Sequence, residues 1–273
     1  MSNRSAGHVV RSTVRPDGET GRRGPVRTFL RTADGIAIDS VYDPGSAVYN
    51  ADLVFVIAHG FTGDVDRPHV RRVAGVLARY GAVVTFSFRG HGRSGGRSTV
   101  GDKEVLDLAA AVARARGFGH ARVVAVGFSM GGSVVLRHAA LHPGTVDAVV
   151  AVSAPARWYY RGTAPMRRLH WLVTRPAGRL VGRYGLRTRI HHREWNPVPL
   201  SPVEAAARIA PTPLLIVHGD RDAYFPLDHP RMLADAAGGH GELWLEPGMG
   251  HAENAAGDAL LARIGDWAAA AAG

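Results

Sequence analysis

The sequence predicts an α/β fold in which a mainly parallel, doubly wound sheet carries helices on both faces. Short apolar runs alternate along the chain with helical stretches of roughly 10 to 15 residues, which is the pattern of successive β-α-β units. Several of the runs, such as 53–58, are apolar at every position, as expected for parallel strands that are covered on both faces.

The chain length of 273 residues and its 46% content of hydrophobic residues suit one large domain, or one domain that carries an insertion. Residues 1–25 show no hydrophobic periodicity and are rich in arginine, so they are predicted to form a flexible basic arm. Ordered structure is expected over 26–152 and 203–273. Between them, 153–202 leaves the strand and helix rhythm and is interpreted as an insertion.

The ordered part begins with two runs, 26–32 and 36–42, whose connection contains Asp34-Gly35. This dipeptide favours a tight turn, so the runs are predicted to form an antiparallel hairpin at one edge of the sheet. The other predicted elements, in chain order, are strand 53–58, helix 68–80, strand 82–88, helix 102–116, strand 121–126, helix 133–141, strand 146–152, an irregular stretch to about 202, helix 203–209, strand 214–217, helix 228–237, strand 242–245 and helix 254–270.

Composition excludes some classes of function. The chain has no cysteine, so disulfides, cysteine-ligated metals and thiol nucleophiles are ruled out. No apolar run of about 18 residues suggests a spanning helix, and the N-terminal residues lack the apolar region of a secretory signal, so we expect a cytoplasmic protein. The net charge of +10 comes almost entirely from arginine, with Lys103 the one lysine. We interpret it as a compositional bias and expect no nucleic-acid ligand, since no nucleic-acid-binding motif accompanies it.

The segment 127–132 (GFSMGG) joins an apolar run to a helical one. A G-x-S-x-G sequence between a strand and a helix is typical of a sharp turn that holds the serine hydroxyl above the sheet edge. The N-terminus of the following helix would offer free N–H groups to an oxyanion formed there. The sequence thus suggests a nucleophilic Ser129, although a turn built from small residues has a purely structural explanation as well.

Partners for this serine must also follow strands, because ligands of an open α/β sheet bind beyond the carboxyl ends of its strands. This condition alone leaves several candidates open. The histidines and acids that satisfy it are His59, His91, His218, His251, Asp64, Asp220, Asp222, Asp228 and Glu246.

Five motifs in a fixed order resemble those of the α/β-hydrolase family, over roughly 27–267. They are 59–61 (HGF), 88–94 (FRGHGRS), 127–132 (GFSMGG), 218–226 (HGDRDAYFP) and 248–251 (GMGH). The resemblance implies that Ser129 is the nucleophile, Asp222 the acid and His251 the base, in the chain order that this fold uses. It also implies an oxyanion hole formed by the backbone N–H groups of Phe61 and Met130, and no metal or cofactor.

Some of the remaining candidates have structural interpretations. Asp220 is the alternative acid, but its position directly after Gly219 suits a turn. His91, Arg89 and His218 are expected to brace loops. The residues predicted to line the substrate pocket are His59, Phe128, Trp158, Tyr159 and Trp171, and for His59 a hydrogen bond within its own turn is the alternative.

By the same resemblance, the insertion at 153–202 is expected to form a lid over the site. Its apolar residues at 158–160, 171–173 and 180–181 could line the acyl side of a pocket. The alternative is that its aromatic residues pack the lid onto the body. It contains a single acid, Glu194, and ten arginines, namely Arg157, Arg161, Arg167, Arg168, Arg175, Arg179, Arg183, Arg187, Arg189 and Arg193. They could attract anionic substrates or lipid headgroups, but we interpret them as a solvated face.

The function that these residues and the resemblance together predict is a serine hydrolase that cleaves a small-molecule carboxylic ester through an acyl-enzyme. Its nearest likeness is to small esterases and to monoacylglycerol-lipase-like or serine-aminopeptidase-like members. The alternatives are a peptidase or thioesterase with the same residues, a non-catalytic binding protein of the same fold, and an arginine-driven binder of nucleic acid or of a membrane surface.

Overall fold

The computed structural model describes residues 24–46 and 52–273, so the arm predicted at 1–25 lies almost wholly outside the described residues. In the described part the strands form one sheet of eight, in the order β1-β2-β4-β3-β5-β6-β7-β8. They are β1 (Val26–Arg31), β2 (Ala37–Asp43), β3 (Leu53–Ala58), β4 (Ala82–Phe86), β5 (Arg122–Phe128), β6 (Ala148–Val152), β7 (Leu214–Gly219) and β8 (Gly241–Glu246). Only the β1-β2 and β2-β4 pairs are antiparallel, which confirms the predicted mainly parallel sheet with its edge hairpin.

Helices cover both faces of this sheet. They are α1 (Pro68–Leu77), α2 (Glu104–Gly117), α3 (Met130–Leu141), α4 (Ala164–Thr174), α5 (Pro176–Gly185), α6 (Pro202–Ala206), α7 (Asp228–Ala237), α8 (Ala252–Ala255) and α9 (Asp258–Ala271). Residues of α2, α3, α6 and α7 share one apolar cluster, and those of α1, α8 and α9 share the other. The doubly wound arrangement is therefore confirmed.

Strand β3 shows why the central strands are apolar throughout. Val54, Val56 and Ala58 belong to the cluster under α2 and α3. Leu53, Phe55 and Ile57 point the other way, towards α1 and α9. Because both faces are buried, no position of the strand is left for a polar side chain.

Two predictions of secondary structure were wrong. The stretch expected to be irregular contains α4 and α5, each with a proline in its first turn. Only Met166 and Leu172 are buried in α4, and only Gly178 and Gly182 in α5, so neither helix has the long buried face of a core helix. The closing helix is also interrupted: α8 ends before an extended residue, and α9 begins after Gly257.

The predicted insertion at 153–202 ends where α6 begins, and its residues 153–201, called the 153–201 segment below, are attached to the body at several points. Thr188 forms a β-bridge with His91. The indole N–H of Trp195 donates to the carbonyl of Thr99 at 2.7 Å, and the Thr163 hydroxyl donates to the carbonyl of Tyr224 at 2.9 Å. These contacts hold the segment over the edge of the sheet where the parallel strands have their carboxyl ends. Across 24–46 and 52–273, no helix has the length and apolar character needed to cross a bilayer.

Candidate active site

The turn between β5 and α3 places Ser129 in a strained backbone conformation, with φ at 51° and ψ at −113°. The turn needs glycine on both sides. A Cβ atom on Gly127 would lie 2.2 Å from the carbonyl oxygen of Gly131, and one on Gly131 would lie 2.1 Å from the carbonyl oxygen of Ala58. Such a left-handed residue costs about 1–3 kcal/mol, which the packing of α3 against β3 and β5 must offset.

A chain of hydrogen bonds runs from Ser129 through His251 to Asp222. The Nε2 atom of His251 lies 3.0 Å from the Ser129 hydroxyl oxygen, and its Nδ1 atom lies 2.7 Å from Oδ2 of Asp222. A carboxylate can only accept, so Nδ1 carries the proton and Nε2 is free to accept from the hydroxyl. The three residues follow β5, β7 and β8, whose carboxyl ends lie along the same edge of the sheet.

Asp222 is held as a carboxylate by its surroundings. Its side chain is fully buried, and its second oxygen accepts the backbone N–H groups of Tyr224 at 2.8 Å and Phe225 at 3.1 Å. Burial raises the pKa of Asp222, but the hydrogen bond and electrostatic interaction with His251, together with the two backbone donors, outweigh burial and leave the pKa lowered. The carboxylate is therefore ionised at neutral pH, as an orienting partner of the imidazole must be.

Two further contacts hold His251 in position. The Tyr224 ring stacks on it with a centroid separation of 4.1 Å and an interplanar angle of 22°. The next residue, Ala252, donates its N–H to the buried hydroxyl of Ser153 at 3.0 Å. These contacts keep Nε2 directed at Ser129 without a movement of the loop.

The other candidates near these loops have structural hydrogen bonds. Asp220 accepts the backbone N–H of Gly248 at 2.6 Å, which ties the loop after β7 to the loop after β8. His218 donates from Nε2 to the carbonyl of Phe225 at 2.8 Å. His59 donates from Nδ1 to its neighbour Gly60 and accepts the N–H of Phe88 at Nε2. Complete burial holds the pKa of His59 well below its usual value, so this ring is neutral.

The loop after β3 brings a second set of groups to Ser129. Phe61 and Met130 line the same cavity as the serine. Met130 is the first residue of α3, so its N–H has no acceptor within the helix and lies at the positive end of the helix dipole. The residue after the serine thus offers a backbone donor that has no acceptor within its helix, the kind of group that can stabilise a negatively charged oxygen.

Glu253 is a residue of this site that the sequence did not indicate. Its Oε1 atom accepts the backbone N–H of Gly60 at 2.9 Å, and the residue is 4% exposed. The bond joins the loop that carries His251 to the loop that carries Phe61. Its partner is 193 positions away along the chain, so no local pattern could have revealed the contact.

A cavity of about 430 Å³ opens above Ser129, between the sheet edge and the 153–201 segment. Trp158 and Tyr159 line it, as the sequence predicted. His59, Phe128 and Trp171, which were also predicted to line it, lie elsewhere. His59 is enclosed behind the loop after β3, Phe128 belongs to the apolar cluster under α1 and α9, and Trp171 is 48% exposed on the outer side of α4.

Other apolar residues take the place of those three in the cavity wall. They are Val100, Met166, Leu169, Val173, Trp195 and Phe225. Within the described ranges, no three His, Asp or Glu side chains are grouped so as to hold a metal ion.

The mostly parallel eight-stranded sheet, the strained serine turn and the residues that meet at the strand ends together define an α/β hydrolase. A family model described as "Alpha/beta hydrolase family" matches residues 53–263, and the chain belongs to that family. A monoacylglycerol lipase of Mycolicibacterium smegmatis is 29% identical over 254 residues, which cover 77% of this chain and 85% of the lipase.

Solved structures show the same fold. An esterase of Pyrococcus furiosus superposes with a TM-score of 0.71 at 23% identity, over 91% of each chain. Est1E of Butyrivibrio proteoclasticus, solved with bound ferulic acid, superposes with a TM-score of 0.60 at 20% identity, over 89% of this chain and 96% of Est1E.

Proposed function

We propose that the protein is a serine hydrolase that cleaves carboxylic esters through an acyl-enzyme. The observation that carries the proposal is the hydrogen-bonded chain Ser129–His251–Asp222, which ends at the floor of a cavity large enough for a small ester. The lipase and esterase among its relatives support the same class of substrate.

In the proposed mechanism, the Ser129 oxygen attacks the carbonyl carbon of the ester as its proton passes to Nε2 of His251. Asp222 stabilises the imidazolium that results and keeps its proton on Nδ1. The N–H groups of Phe61 and Met130 hold the tetrahedral oxyanion, each worth about 3–4 kcal/mol in comparable sites. His251 then protonates the leaving alcohol, and a water molecule, activated by the same ring, releases the acid from the serine.

We assign the 153–201 segment the role of a lid. It supplies Trp158, Tyr159 and Met166 to the wall of the cavity, so it limits which substrates reach Ser129. Its contacts with the body through Thr163 and Trp195 support this role, because they hold the segment over the cavity.

The charges of the cavity favour an ester over the peptidase alternative. An aminopeptidase has to receive a substrate ammonium group, and Glu194 is the acid in the lining. It lies there with Arg161, Arg179 and Arg193, whose positive charges oppose the binding of a cation.

A substrate panel tests the proposal. The purified protein is reacted with a fluorophosphonate probe, and its kcat/KM is measured for p-nitrophenyl esters of increasing acyl length, for the matching thioesters and for amino-acid anilides. We expect covalent labelling and the highest kcat/KM on oxygen esters. Labelling with a preference for thioesters or anilides would reassign the substrate class, and a protein that neither labels nor hydrolyses any of them would refute the assignment.

The contact of Glu253 with Gly60 gives a second prediction. Glu253→Ala is expected to lower kcat for ester hydrolysis between about 10- and 100-fold, because the loop that carries Phe61 loses the acceptor that fixes it. KM should change less, since the cavity wall is untouched. Glu253→Gln is the matched control: its amide oxygen can still accept the Gly60 N–H, so most of kcat should be retained. If the two variants lose the same fraction of kcat and the same number of degrees in melting temperature, the role of Glu253 is purely structural.

A further inference from the structure

The lining of the cavity carries more positive charge than the site needs for the proposed reaction. Four arginines and one acid contribute to it: Arg157, Arg161, Arg179, Arg193 and Glu194. Arg157 forms an ion pair with Asp228 at 2.6 Å. The other three arginines form no ion pair with a carboxylate of residues 24–46 or 52–273, so they outnumber the single acid of the lining.

Two of these guanidinium groups are held in place by neutral acceptors. Arg161 donates from Nε to Nδ1 of His170 at 3.2 Å, and His170 in turn donates from Nε2 to the carbonyl of Tyr160 at 2.9 Å. Arg179 donates from Nη1 to the carbonyl of Thr174 at 2.9 Å, at the junction of α4 and α5. These bonds orient the side chains and leave their charges uncompensated.

The positive charge affects neighbouring groups. Burial lowers the pKa of His170, and the adjacent Arg161 lowers it further. His170 is therefore neutral and serves as an acceptor for the guanidinium. Arg161 and Arg193 are exposed and Arg179 is half-buried, and all three line the open cavity that contains Ser129.

We propose that the preferred ester carries an oxyanion, a phosphate or a carboxylate, on the part that lies against the 153–201 segment while the scissile bond lies over Ser129. The proposal rests on the proposed esterase function and specifies its substrate class. Guanidinium groups suit such a ligand because their paired N–H donors match the oxygens of carboxylate and phosphate. The apolar residues Trp158, Met166 and Leu169 would hold the hydrocarbon part between the two ends.

Matched pairs of substrates test this directly. Monooctanoylglycerol is compared with octanoyl lysophosphatidic acid, and p-nitrophenyl pentanoate with the mono-p-nitrophenyl ester of glutaric acid, all as monomers in solution so that no lipid surface contributes. We expect kcat/KM to be about 10-fold higher or more for the anionic member of at least one pair, the gain of one hydrogen bond to a charged group. A response of the first pair would indicate a phosphate on the alcohol side of the ester, and a response of the second pair a carboxylate on the acyl side. The ratio should fall as salt is added, because the cavity is open to ions.

Variants assign the preference to the cavity. Arg179→Gln and Arg193→Gln are each expected to reduce the ratio of anionic to neutral kcat/KM, and the double variant more than either. Arg193 makes no side-chain hydrogen bond in the described part of the chain, so its variant stays informative if loss of the Thr174 contact perturbs the other. Arg168→Gln, which removes the same charge from the same segment outside the cavity, should leave the ratio unchanged.

Two results would overturn the proposal. Equal kcat/KM for both members of both pairs would show that the arginines do not select substrate, while the esterase function would stand. A strong anionic preference that survives when Arg161, Arg179 and Arg193 are all replaced by glutamine would place the anion elsewhere. Failure of the esterase function is a separate outcome, in which neither member of a pair is hydrolysed and Ser129 is not labelled.

Discussion

Ser129→Ala is expected to lower kcat for ester hydrolysis by about 10⁴-fold or more, with little change in KM. The serine oxygen is the atom that the proposed mechanism joins to the acyl group, and Nε2 of His251 lies 3.0 Å from it, ready to take its proton. Alanine keeps the Cβ atom and so leaves the strained turn as it is. The cavity wall is also unchanged, which is why substrate should still bind.

The measurement combines steady-state kinetics with fluorophosphonate labelling followed by mass spectrometry of the labelled peptide. Ser133 supplies a matched control, since it is a buried serine one helical turn further along α3 and also lines the cavity. Ser133→Ala should remain labelled at Ser129. Turnover near that of the wild type in Ser129→Ala would move the nucleophile to another residue and leave the hydrogen-bonded chain without a catalytic role.

The central strands were predictable because both of their faces are buried, so successive residues of the strand are apolar. β3 was predicted with its observed limits, and β7 was predicted to begin where it does, at Leu214. Each is a continuous apolar run bounded by polar or small residues. Strand order, by contrast, depends on contacts between distant segments, and the sequence did not predict it.

Reasoning from the residues alone could not decide whether Asp220 or Asp222 is the acid of the site. The strand-end condition kept Asp220 and Asp222 together, because they lie in the same loop two residues apart. Their carboxylates differ in direction and in burial, since Asp220 is exposed and the side chain of Asp222 is fully buried. That of Asp220 accepts from Gly248, and that of Asp222 is turned towards His251 by the N–H groups of Tyr224 and Phe225. Those directions are set by loop geometry, which the spacing of the residues does not encode.

The cavity lining was predicted incompletely for a related reason. Met166, Leu169 and Val173 recur at spacings of three and four residues, which places them on one face of α4, and all three line the cavity. Trp171 falls between them and lies on the outer side. Because the segment was expected to be irregular, the prediction did not separate the helix face that carries Leu169 and Val173 from the face that carries Trp171.

Asp222→Asn is expected to be nearly as severe as loss of the serine, with kcat lowered by about 10⁴-fold. An ionised Asp222 accepts the proton on Nδ1 of His251, which leaves Nε2 unprotonated and able to receive the serine proton. An asparagine whose NH₂ group faces Nδ1 would favour the opposite tautomer, with the proton on Nε2. The base would then present a donor to the serine hydroxyl, and the imidazolium formed during attack would lose its buried counter-charge.

Asp220→Asn is the matched control for this variant, because it makes the same chemical change in the same loop. Its amide oxygen can still accept the N–H of Gly248, so we expect kcat to stay within about 10-fold of the wild type, the loss of part of one hydrogen bond. The kinetics of both variants should be read beside the position of the His251 ring protons in NMR spectra. A proton that remains on Nδ1 in Asp222→Asn, together with high turnover, would contradict the orienting role. A larger loss in Asp220→Asn than in Asp222→Asn would exchange the roles of the two acids, since only the residue that fixes the tautomer can affect the base in this way.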